Sequence, residues 1–154
     1  MKSYAEGTNT SVEKSRAEVE SILVRYGADR FAYMNDSTQA VIFFEAHGKG
    51  VKFVLPLPDR ADFKTSTKWK KERENSPDEQ YQLWEQACRE RWRSLALCIK
   101  AKLETVRSGI SSFEVEFMPH FVIGPRGQTV ADRIIPQLEE SVKSGKFPTL
   151  QLMG

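Results

Sequence analysis

From Ser76 to Gly109 apolar residues return at three- and four-residue steps: Tyr81, Trp84, Cys88, Trp92, Leu95, Ile99, Leu103 and Val106. Only an α-helix puts positions so spaced on one face. Ser76 at the cap, Pro77 at the first helical position and Asp78 and Glu79 in the first turn define a start, and Gly109 supplies a stop. A helix of about 32 residues runs roughly 48 Å, long for a chain of 154 residues. It either wraps one side of a sheet or projects to meet a partner, and every other element must be arranged around it.

The segments before it read as a helix and three strands. Residues 1–9 have the composition of a flexible tail. Thr10 and Glu13 stand at capping-box spacing, Val12, Val19, Ile22, Leu23 and Tyr26 form a helical apolar stripe, and Gly27 ends it. Phe31 and Tyr33 alternate with polar neighbours before the turn Asn35-Asp36-Ser37. Ala40, Ile42 and Phe44 alternate with Val41, Phe43 and Glu45, so this strand is apolar on both faces and belongs in the centre. After the turn His47-Gly48-Lys49-Gly50, Val51, Phe53, Leu55 and Leu57 alternate with Lys52 and Pro56. Pro56 and Pro58 place the end of that strand at an edge or bulge. An antiparallel meander follows, joined to the long helix by a polar, basic connection over residues 59–75.

Beyond Gly109, Ser111 and Glu114 repeat the capping-box spacing, and Phe113, Phe117 and Phe121, four apart, predict a short helix with an aromatic face. Val122-Ile123 reads as a brief strand before the turn Gly124-Pro125-Arg126-Gly127. Thr129 and Asp132 open a last helix through Ile134, Leu138 and Val142 to Gly145, with Pro136 kinking it or marking its effective start. The expected fold is α+β, one domain over residues 1–154: a three-stranded antiparallel meander packed by a long amphipathic helix, with an N-terminal helix and a C-terminal helical segment. Ile42, Phe44, Phe53, Leu55, Trp84, Leu95, Ile99 and Leu103 are its expected core.

Composition narrows the chemistry. The chain's 23 Lys and Arg against 21 Asp and Glu leave +2, so no global field draws it to nucleic acid and any basic surface must come from local segregation. No apolar run approaches a membrane span, and the N-terminal residues lack the apolar core of a signal peptide, so a cytoplasmic address and no membrane partner are expected. Cys88 and Cys98 on one helix lie about 15 Å apart along its axis, too far for a disulfide, and are expected as reduced, buried thiols. His47 and His120 are the only histidines, with no Cys/His cluster at metal-ligand spacing, no Gly-x-Ser-x-Gly elbow and no Gly-Lys-Ser/Thr phosphate loop. Glu114 and Glu116 near His120 are a weak basis for a divalent-ion site. A noncatalytic protein without metal or cofactor is the expectation.

The candidate sites are basic. Arg89, Arg93, Lys100 and Arg107 share one face of the long helix and could track phosphates; Glu85, Glu90 and Glu104 at pairing distance offer the plainer alternative of a solvated, paired face. Lys68-Trp69-Lys70-Lys71 sets an aromatic ring among cations, the arrangement that stacks on an unpaired base while holding phosphates; Trp69 could equally anchor the connection to the core with its lysines reaching outward. Arg126, among glycines before a helix start, could countercharge an anion, or belong to a plain turn.

The C-terminal pattern Trp92-Arg93-Ser94-Leu95, Ile99-Lys100-Ala101-Lys102-Leu103-Glu104 and Gly127-Gln128-Thr129-Val130 resembles a family of small uncharacterised proteins of bacteriophages and prophages; the resemblance spans most of the chain and implies no activity. The order helix, three-strand meander, long helix is also similar to the core of single-strand annealing proteins of the Rad52 type, whose basic groove runs along the sheet and its packed helix. That second likeness is of element order, with no shared residue motif. Together these features lead to the expectation of a noncatalytic phage-type accessory protein that contacts nucleic acid, single-stranded DNA included, in the host cytoplasm. The alternative is a protein-interaction module or inhibitor of a host factor, with the long helix as partner-binding or self-association face.

Overall fold

Strands β1 (Arg30–Asn35), β2 (Gln39–Ala46) and β3 (Lys49–Pro56) pair antiparallel in the order β1-β2-β3, so the strand that is apolar on both faces does lie in the centre. The computed structural model describes residues 3–68 and 71–146, with Lys68 and Lys71 described by backbone alone. The register sets Phe31, Phe44 and Val51 in one cross-strand row and Tyr33, Ile42 and Phe53 in the next. Because side chains alternate, Met34, Val41 and Val54 form a row on the opposite face, where Met34 and Val54 are exposed.

The inner face is covered by two helices, α1 (Val12–Arg25) and α2 (Pro77–Arg107). The core joins Val19, Ile22 and Leu23 of α1 to Trp92, Ala96, Ile99 and Leu103 of α2 over Ala40, Ile42, Phe44, Val51 and Phe53. Trp92 is its largest fully buried side chain, its ring 5.5 Å from that of Tyr33. Of the expected core, Leu55 and Leu95 are partly buried against the cluster, and Trp84 lies outside it. The Trp84 indole N–H instead donates to the Pro58 carbonyl at 2.9 Å. Cys88 is buried, but Cys98 is exposed, turned away from the sheet by its position one residue before Ile99.

Local signals hold with shifts of a residue. The cap of α1 is Ser11, whose hydroxyl accepts from Lys14 N, one position after the expected Thr10; the Thr10 amide is taken by the Thr8 hydroxyl. Ser76 and Glu79 make the full capping box of α2. The first residues, expected as a loose tail, lie against α2: Ala5 is buried, Gly7 N donates to Glu90 at 2.8 Å, and Gln86 donates to the Thr8 carbonyl.

The connection expected over residues 59–75 as polar and basic contains secondary structure of its own. Asp59 caps a 3-10 turn (Arg60–Phe63), and a separate ribbon follows, β4 (Thr65–Lys68) antiparallel to β5 (Lys71–Glu74). Its base is closed by Asn75, which donates from its backbone to Lys64 O and from its side chain to Phe63 O.

After α2, helix α3 (Phe113–Phe117) is capped by Ser112 rather than Ser111. Phe117 is fully buried, edge-on to Phe44 and Phe53. A 3-10 turn (Met118–His120) follows, and His120 stacks on Phe53 at 4.0 Å between centroids. The brief strand expected at Val122-Ile123 is reduced to two isolated bridges, Val51 to Phe121 and Val122 to Thr129, which extend the β3 edge. Helix α4 (Val130–Ser144) opens on the Thr129–Asp132 capping box and runs through Pro136, which therefore does not mark its start. No helix among the described residues is long and apolar enough to cross a membrane.

Candidate nucleic-acid interface

Helices α1 and α2 run parallel, since contacts along them rise together: Glu18 meets Arg93 and Tyr26 meets Glu104. This seam decides the fate of the arginine row. The Arg93 guanidinium is ion-paired with Glu18, both side chains being less than one-third exposed. Arg89 pairs with Glu85 at 3.5 Å and donates twice to the Gln86 side-chain oxygen. Arg107 is exposed at the far end, next to the Tyr26 hydroxyl that donates to Glu104; that carboxylate raises the phenol's pKa and Arg107 opposes the rise. Lys100 is exposed and ion-pairs with no carboxylate among the described residues. The row thus contains two engaged cations and two at the surface.

The Lys68-to-Lys71 run has a different setting. In the register of the ribbon Lys68 pairs with Lys71, Thr67 with Glu72, Ser66 with Arg73 and Thr65 with Glu74. The two lysines therefore close the end of a two-stranded ribbon, while Trp69 and Lys70 lie outside the described residues. The base of the ribbon is tied to the start of α2 by the ion pair of Arg73 with Glu79. The Ser76 amide and then Arg73 hold the Glu79 carboxyl below the usual range.

Arg126 occupies a third place. It is exposed in a tight turn closed by Gly127 N to Gly124 O, in which Gly127 takes φ +70°. The Gly127 carbonyl accepts from Lys52 Nζ, which binds the turn to β3. The ribbon stands at the start of α2 and Arg107 at its end, about 46 Å along a 31-residue helix. Among the described residues the candidates divide into the ribbon end, the α1–α2 seam with its exposed flank, and the Gly124–Gly127 turn.

Sequence reading missed the ribbon because the tip has no Asn-Gly or Gly-Gly turn signal. The available signal was weaker, the alternation of Thr65 and Thr67 with Ser66 before it and of Lys71, Arg73 with Glu72, Glu74 after it. Among the described residues no group of three or more His, Cys, Asp or Glu could hold a metal ion. No protein-family model, curated protein or solved structure matches the chain.

Proposed function

We propose that this is a noncatalytic accessory protein of the phage type that contacts nucleic acid through the end of the β4–β5 ribbon. The observation that supports the reading is the pairing of Lys68 with Lys71, which concentrates the basic run at the tip of an arm two strands wide. Such an arm can follow a groove or a single strand, its lysines near phosphates and its apolar contacts near bases. Lys100, Arg107 and Arg126, which are exposed, are secondary contacts in this reading.

The test is binding to oligo-dT and to duplex DNA across a salt series. Lys68→Ala with Lys71→Ala lowers affinity for both and reduces the salt slope by about one unit per lost contact. Trp69→Ala lowers single-strand affinity by about 1–3 kcal/mol while the melting temperature stays put. Absence of binding by the wild type at low salt ends the proposal.

A second reading, a protein-interaction module, is favoured by α4. Ile135, Leu138 and Val142 are exposed on it, Val142 at 83%. Under this reading a native-mass measurement gives a self-associated species that Leu138→Lys disperses.

A further inference from the structure

A cleft of about 380 Å³ opens between the start of α1, the β1–β2 turn and the first half of α2. Four aromatic rings line it, Tyr33, Tyr81, Trp84 and Trp92, together with the carboxylates Glu13, Asp36 and Glu85. No lysine, arginine or histidine is among its lining residues. In a chain with slightly more bases than acids, this is a local reversal of charge inside an aromatic hollow.

The walls are fixed in advance. The Trp84 indole is held by the Pro58 carbonyl at 2.9 Å, and its ring lies 5.7 Å from that of Tyr81. Trp92 is locked in the core against Tyr33. Asp36 Oδ1 accepts from Thr38 N, the Thr38 hydroxyl and Gln39 N, which fixes the carboxylate at the mouth. Three arginines already engage lining residues. Arg89 offsets Glu85 at 3.5 Å, Arg16 lies 3.6 Å over the Tyr33 ring, and Arg60 lies 5.3 Å from the Tyr81 centroid. Two of the four rings thus already carry a guanidinium on a face, while Glu13 and Asp36 are ion-paired with none of the described cations. The Cys88 thiol in the lining is kept neutral by burial and adds no charge.

Ring faces are negative and attract cations, best when both are partly desolvated. A neutral apolar ligand would fill the hollow but leave the carboxylates uncompensated, and an anion would be repelled. We infer that this cleft is a binding site for a small organic cation, an alkylated ammonium whose apolar groups lie on the rings and whose charge faces Glu13 and Asp36. The volume is at the lower end of ligand sites, which suits a ligand of metabolite size. This site is separate from the ribbon tip, and its ligand is independent of the nucleic-acid reading.

The experiment uses the full chain with Trp69→Phe, so that the fluorescence belongs to Trp84 and Trp92. It is titrated with choline, with the neutral isostere in which carbon replaces the choline nitrogen, with a short lysine peptide, and with sodium chloride at matched ionic strength. The expected result is a saturable change with choline, binding of the isostere about tenfold weaker or worse, and no saturation with sodium chloride. Glu13→Gln and Asp36→Asn, both surface changes, weaken choline several-fold, and Trp84→Leu abolishes it. The site assignment is overturned if the isostere binds as well as choline, if choline gives no saturable change, or if the Glu13 and Asp36 variants bind normally. A lysine peptide that binds more tightly than choline overturns the small-molecule assignment.

Discussion

The arginine row of α2 and the β4–β5 ribbon carry the same kind of charge, and their surroundings make them different objects. Along α2, packing of α1 brings Glu18 to Arg93, while Glu85 and Gln86 take Arg89 within the helix itself. At the ribbon, Arg73 is used at the base to fasten the arm to Glu79, and Lys68 and Lys71 are register partners across its end. A basic residue becomes part of the scaffold where a carboxylate meets it in a partly dry seam, as at Arg93, and stays at the surface where none does, as at Lys100. Spacing on a helical wheel does not distinguish the two.

The largest expected effect separates scaffold from arm. Trp92, 2% exposed in the core, loses about 3–5 kcal/mol of stability on truncation to alanine, read by denaturant unfolding. Lys68→Ala leaves the midpoint where it was. Comparable shifts from both would mean that the ribbon is as integral to the fold as the core, and the contrast would fail.

Next comes the seam. Arg93→Glu sets two carboxylates against each other beside Glu18 and costs about 1–3 kcal/mol, and the exchanged pair Glu18→Arg with Arg93→Glu regains most of it. DNA affinity follows neither change if the seam is structural. A loss of DNA binding that the exchange does not restore would return Arg93 to the interface.

A smaller effect comes from His120, half-buried on Phe53. Burial and then the nearby Lys102 push its pKa below the ordinary 6.5. The unfolded chain takes the proton first, so this contribution is whole above pH 6.5 and declines as the pH falls below it. His120→Gln flattens that part of the stability–pH curve; an unchanged curve would place the acid sensitivity elsewhere.

The smallest effect is at the ribbon's base. Glu79 is held below its ordinary 4.5, so its contribution is present above that pH and is lost as acid protonates it at lower pH. Glu79→Gln removes the Arg73 pair, and amide exchange at Ser76 and through β5 speeds up while the core amides do not change. Uniform acceleration would show that ribbon and core open together.

Much of the architecture is legible from local pattern because its causes are local. Ser76, Pro77 and Glu79 satisfy the free amides of a helix start wherever that helix is placed, and Thr129 with Asp132 does the same for α4. The alternation along β2 requires two covered or half-covered faces and so a central place. By contrast, Trp84 and Trp92 read alike on the stripe of α2, and only the reach of the sheet decides that Trp92 is core and Trp84 is cleft wall. Cys98 is expected as a buried thiol, yet the covered arc of α2 is narrow enough to leave it outside.

The sequence by itself therefore determined the three longer helices, the caps of α2 and α4 and the order of the meander, since periodicity and capping act over a few residues. Tertiary structure alone decided which cations are bound and which are exposed, and that three carboxylates and four aromatic rings from α1, β1, the β1–β2 turn and α2 share one hollow. Those outcomes depend on the parallel docking of α1 on α2 across residues some 75 positions apart, and no local pattern encodes a distance that only packing sets.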